Sequence, residues 1–168
     1  PANHLCRFRA EMTDARPPIR SDLALLALLV CCLLLPFAQK PFHIDDPLFI
    51  WSAKHLLEQP LRPYCQQVNW SGTASRMWMR MLNPPLVPYW EAAGIALAGE
   101  SELALHLWLL PWTLLAAGGM YMLSRRAVRH PLWPALALIS SPAFVVSATN
   151  VMADVPALAL LLAGLVLF

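Results

Sequence analysis

Apolar residues gather in four runs, 23–38, 103–123, 131–148 and 155–168, and a long mixed segment rich in Pro, Trp and charge separates the first two. A spanning helix needs about 17–25 apolar residues. The second run meets that length, the first is short unless the Pro36 and Phe42 region extends it, and the fourth is still apolar at Phe168. The pattern predicts an all-α, polytopic membrane protein. Its expected order is a cytoplasmic tail 1–22, span 23–38, exterior loop 39–102, span 103–123, cytoplasmic loop 124–130, span 131–148, exterior loop 149–154 and span 155–168. The chain opens on Pro1 and is still apolar at its last residue, so a fragment of a protein with further spans is expected. A cleaved signal peptide is the alternative for run 23–38, but no small-x-small site follows it, which favours a retained anchor.

Composition supports the same class: 58% of residues are hydrophobic and 13% charged, with a mean hydropathy of +0.53, against about 25% charged in an ordinary soluble domain. The net charge of +2 says nothing by itself, and no nucleic-acid partner is expected. Mapped onto the runs, charge predicts orientation. Arg7, Arg9, Arg16 and Arg20 precede the first run, and Arg125, Arg126, Arg129 and His130 fill the connection after the second. Short basic loops stay cytoplasmic, which places Asp45, Asp46 and Asp154 together on the exterior side. Segment 83–99 is apolar but carries Glu91 at its centre, where a carboxylate opposes insertion by about 2.5–3.5 kcal/mol. Leu86, Trp90, Ala93 and Leu97 recur at helical spacing, so the expectation is an interfacial helix opened by Pro84 and Pro85, with Tyr89 and Trp90 at headgroup depth. The four cysteines have no metal-ligand spacing.

The loop 39–102 is where chemistry is expected. Asp46 reads as an N-cap with Pro47 at the first helical position, and 59–75 reads as turns. Asp45 has no capping role, and two adjacent carboxylates near an apolar boundary repel and lose solvation, both of which favour a general base. Asp154 reads equally as the cap of the fourth span or as a second acid facing the first pair. Lys40, Lys54, Arg76 and Arg80 suit either phosphate or lipid headgroups. His43 and His55 with Asp45 match no strong metal motif, and Asn69-Trp70-Ser71 is a glycosylation sequon relevant only in a eukaryotic secretory pathway.

Three motifs in order, Lys40-Pro-Phe-His-Ile-Asp45-Asp46-Pro, Asn83-Pro84-Pro85-Leu86-x-x-Tyr89-Trp90 and Asn150-x-Met-Ala-Asp154-x-Pro156, resemble the amino-terminal part of the GT-C membrane glycosyltransferases of the family 39 type. That family uses polyprenyl-phosphate-sugar donors and includes protein O-mannosyltransferases and the lipid A aminoarabinose transferase. The resemblance covers residues 39–168. It implies a GT-C-like helical bundle, Asp45 as catalytic carboxylate with Asp46 as its acidic neighbour, Asp154 in the acceptor and metal or phosphate region, and Arg80 and Lys40 at the donor phosphate. Asn83 stands where several relatives carry a basic residue or His. The implied partners are a polyprenyl-phosphate-linked sugar and a lipid, glycan or protein acceptor, with a divalent cation as an optional cofactor. The implied location is a bacterial inner (plasma) membrane with the site facing the exterior. A transporter or channel with functional carboxylates, or a non-catalytic membrane subunit, is the alternative. Its usual marks, acids within spans and broken half-helices in repeated positions, are missing from the pattern.

Overall fold

The computed structural model describes residues 18–168; Cys6 lies outside the described residues, as do Arg7, Arg9 and Arg16, whose charge helped set the expected orientation. The described chain is mostly helical. Helix α1 (Ile19–Leu34) begins upstream of the apolar run and continues as a 3₁₀ turn, Leu35–Phe37. Its extra length comes from the polar end: Ser21 Oγ donates to Pro18 O at 2.8 Å, and Asp22 is buried, accepting the Tyr121 hydroxyl at 2.7 Å. Satisfied polar groups let the helix begin before the greasy stretch does.

Helix α2 (Asp46–Glu58) follows a turn, and residues 67–76 then form a small antiparallel hairpin, β1 (Gln67–Asn69) with β2 (Ala74–Arg76), in the register Val68↔Ser75. The all-α expectation missed this hairpin, whose strands are too short to show a period-2 pattern. Its connection passes through Gly72 at φ 84°, a left-handed conformation that suits glycine. Helix α3 (Leu86–Ala98) is too short to span, and α4 (Glu102–Ala127) is the longest element. Ser101 caps α4 by accepting the Ala104 N–H at 3.2 Å. The helix runs on through Arg125 and Arg126, so most of the expected loop 124–130 is helix. Arg126 donates to Leu165 O at 3.3 Å and also to Val166 O, holding the last carbonyls of the final helix, α7 (Asp154–Leu167).

The run 131–148 is not one span. It forms α5 (Leu132–Ile139) and α6 (Pro142–Ala148), separated by Ser140 and Ser141. Pro142 disfavours helical backbone at the residue before it, and Ser141 caps the new helix by accepting the Phe144 N–H at 3.3 Å. Among the described residues, two helical segments are long and apolar enough to cross a membrane, Ile19–Phe37 and Glu102–Ala127. Only 22% and 33% of their most apolar windows are buried inside the protein, whereas the core helix of a soluble protein would be buried for most of its length.

Two cores result. The bundle core joins Leu26 and Val30 of α1, Ala116 and Tyr121 of α4, Ile139 of α5, Phe144 of α6 and Ala159 and Leu162 of α7. The loop core gathers Phe49, Val68, Met77 and Val87 around Leu109 of α4 and Val151. A tryptophan exchange fastens α3 to α4: Trp90 Nε1 donates to Trp108 O at 2.9 Å, and Trp108 Nε1 donates to Trp90 O at 2.8 Å. The rings lie 5.2 Å apart between centroids.

Gly94 makes that exchange possible, since a Cβ there would sit 2.6 Å from the Trp108 ring. Gly94→Ala must therefore displace an indole held at both ends. The expected cost is about 1–3 kcal/mol of stability, with a loss of near-ultraviolet circular dichroism from the tryptophans in detergent-solubilised protein. An unchanged dichroism spectrum would show that the exchange does not hold α3 in place.

Candidate functional site

Four polar residues from segments 39–102 and 149–154 converge on a cavity of about 220 Å³ between the start of α2, the segment after the hairpin and the start of α7. Asp45, Arg80, Asn83 and Asp154 line it, over a floor that includes Phe49, Met81 and Met152. Ligand pockets usually measure about 300–1,000 Å³, so this one admits a group the size of a phosphate or sugar ring. Three elements distant in sequence thus supply two carboxylates and a guanidinium to one space.

Local structure sets each side chain. Asp45 is the residue before α2, and Asp46 is its first helical residue, so the expected cap and its neighbour change places. Neither carboxylate caps the helix. Asp45 is exposed, and its side chain has no hydrogen-bond partner among the described residues. Asp154 is likewise the first residue of α7 rather than its cap, and is exposed. Arg80 Nε donates to Ser75 Oγ at 2.9 Å and Nη2 donates to Ser71 Oγ at 2.8 Å. These bonds aim the guanidinium and use two of its five N–H donors. Beneath it, the wall is held by Tyr64, whose hydroxyl donates to Asn83 O at 2.9 Å. Tyr64 is buried and sits at φ 68°. Left-handed backbone is costly for a bulky residue, so this conformation persists only because the surroundings impose it.

Asp46 lies under the cavity and not in it. It is 1% exposed, and each oxygen accepts a backbone N–H: Oδ2 from His43 at 2.7 Å and Oδ1 from Val151 at 2.9 Å. Burial pushes its carboxyl up, opposed by those two hydrogen bonds and by the charges of Lys40 and His106. Lys40 does not line the cavity. Its ammonium donates to Asn150 Oδ1, while Asn150 Nδ2 donates to Val146 O at 2.8 Å. Lys54 forms an exposed ion pair with Glu100 at 2.8 Å, and Arg76 donates to Cys65 O at 2.7 Å. His55 is bonded to Arg62 O at 3.0 Å. Among the described residues, no group of three or more His, Cys, Asp and Glu side chains could hold a metal, so His43, His55 and Asp45 form no such cluster.

Helix α3 departs from the expected pattern in one respect. Its apolar positions Leu86, Ala93 and Leu97 face outward and Tyr89 is 41% exposed, as an interfacial helix requires, with Trp90 half-buried. Glu91, however, is fully buried, and neither carboxyl oxygen has a partner. Pro84 is exposed and Pro85 half-buried at the entry to the helix.

No family model matches the chain, and no curated protein or solved structure matches it significantly.

Sequence reasoning passed over Tyr64, Asn150 as a bonded residue, and the burial of Glu91. Only Asn150, inside a quoted motif, carried a signal. Burial first, and then the nearby Asp46 carboxylate, push the Glu91 carboxyl up from 4.5 to about 8. Between those values the folded chain keeps a proton that the unfolded chain has released. Stability therefore falls as pH rises from about 4.5 and levels off above about 8. Glu91→Gln should flatten that slope, worth about 3–5 kcal/mol across the window, in unfolding followed by tryptophan fluorescence. A slope that survives the substitution would assign the pH dependence to another group.

Proposed function

We propose that the chain is the amino-terminal part of a membrane glycosyltransferase of the GT-C, family 39 type. In this reading it moves a sugar from a polyprenyl-phosphate donor to a hydroxyl or amine, with inversion, at the exterior face of the membrane. The observation that carries the proposal is the shared cavity, in which the free carboxylates of Asp45 and Asp154 and the guanidinium of Arg80 meet. Two membrane-competent helices beside it fit a donor that never leaves the bilayer.

Asp45 is the base in this scheme because it is the exposed member of the acidic pair. Its carboxylate takes the proton from the acceptor O–H or N–H as the acceptor atom attacks the anomeric carbon. The bond from that carbon to the phosphate oxygen breaks, and the electron pair leaves on polyprenyl phosphate. Arg80 balances the negative charge developing on the phosphate, a role that its planar fork suits. Asp154 orients the acceptor from the opposite wall. A divalent cation would find oxygen donors in Asp45 and Asp154, completed by phosphate or water. Lys40, bonded to Asn150, supports the site's frame rather than the phosphate.

Topology follows from the same reading. A reporter fused after Arg129 should read cytoplasmic and one after Asn150 exterior, and the reverse pattern would remove the case for an exterior site. In the full-length protein reconstituted with polyprenyl-phosphate-linked sugars, Asp45→Asn should lower transfer about 10²–10⁴-fold. Arg80→Ala should raise the KM for the donor while membrane insertion is unchanged. Near-normal transfer by Asp45→Asn would exclude it as the base.

A further inference from the structure

We infer that Asp46 is a positioning residue, a clasp that ties the two exterior segments together so that Asp45 and Asp154 face one cavity. The inference rests on the glycosyltransferase reading for what the cavity does, but its geometry stands independently. Asp46 spends both oxygens on backbone N–H groups, one from its own turn at His43 and one from Val151 in the distant segment. Val151 is fully buried, so its N–H has no water to turn to if the carboxylate is lost. Lys40 and Asn150 make a second link between the same two segments. The residue before the clasp in the first segment is Asp45, and Met152, Ala153 and Asp154 follow it in the second; all four line the cavity. A carboxylate only 1% exposed offers an acceptor no approach, which separates its role from that of the exposed Asp45.

The decisive substitution is Asp46→Asn in the full-length protein. An amide can accept from one of the two N–H groups, but its own NH₂ then points at the other donor, so one link must open. The first readout is a spin-label distance between Ile44→Cys and Ala157→Cys, both exposed positions, in a background without the native cysteines. The parent should give one narrow distance and Asp46→Asn a broad distribution, with Lys40→Met broadening it less. The second readout is kinetic. Asp46→Asn should lower kcat by about 10–10²-fold, because a misplacement of about 1 Å suffices for the larger figure. It should leave intact the acidic limb of the pH–rate profile, which Asp45→Asn removes.

A distance that stays narrow in Asp46→Asn, or loss of the acidic limb in that variant, overturns the inference. If Asp46→Asn does not fold, Lys40→Met decides, and an unchanged distance and kcat in that variant overturn it equally. If the parent transfers no sugar, the proposed activity fails while the distance measurement still decides the clasp.

Discussion

The convergence of Asp45 and Asp154 on one cavity depends on one buried carboxylate. Asp46 reaches from the start of α2 to the N–H of Val151, and among the described residues the other polar link between the two segments is that of Lys40 with Asn150. Burying an ionised group is expensive unless its hydrogen bonds are made. Here the two N–H donors and the Lys40 charge oppose what burial imposes, and burial still wins. The arrangement is asymmetric, as buried polar contacts are. Making the bond gains little over water, whereas removing one partner strands the other at a cost of about 1–3 kcal/mol.

The clasp sits where two cores of different character meet. The bundle core is built from small and aliphatic residues that bring α1, α4 and α7 close together; a Cβ on Gly119 would lie 3.0 Å from Leu162. The loop core is richer in Met and aromatic residues, which fill the irregular space beneath a hairpin and two short helices. Leu109 of α4 and Val151 belong to the loop core although their neighbours in sequence serve the bundle. The cavity is therefore anchored to rigid helices on one side and to a folded loop on the other.

Much of this was legible in the pattern of residues, and the failures are instructive. The run 103–123 gave α4 because a long apolar stretch with a Ser at its head leaves little choice. The start of α2 near Pro47 was equally plain, yet the phase slipped by one residue, so Asp46 is the first helical residue and not the cap. Local chemistry favours Asp as a cap, but the partner that draws Asp46 inward is Val151, which no local rule brings near. The break in run 131–148 was readable from Ser140-Ser141-Pro142 and was outweighed by apolar length. Glu91 was read as a charge that keeps segment 83–99 out of the membrane. In the structure it is a carboxyl enclosed by the packing of α3, with no hydrogen-bond partner among the described residues.

Glu91 also explains how two acids coexist beside each other indoors. Two charged carboxylates in a low-dielectric space repel strongly, and only one ion is favoured. The Asp46 oxygens are already committed to N–H donors, which favour its charged form, whereas Glu91 has none and holds its proton to about 8. The Lys40 charge acts on Asp46 in the same sense as those N–H donors, against the effect of burial. The carboxylate that the fold leaves in water is that of Asp45, one residue from the clasp, on the wall of the cavity that Asp154 also lines.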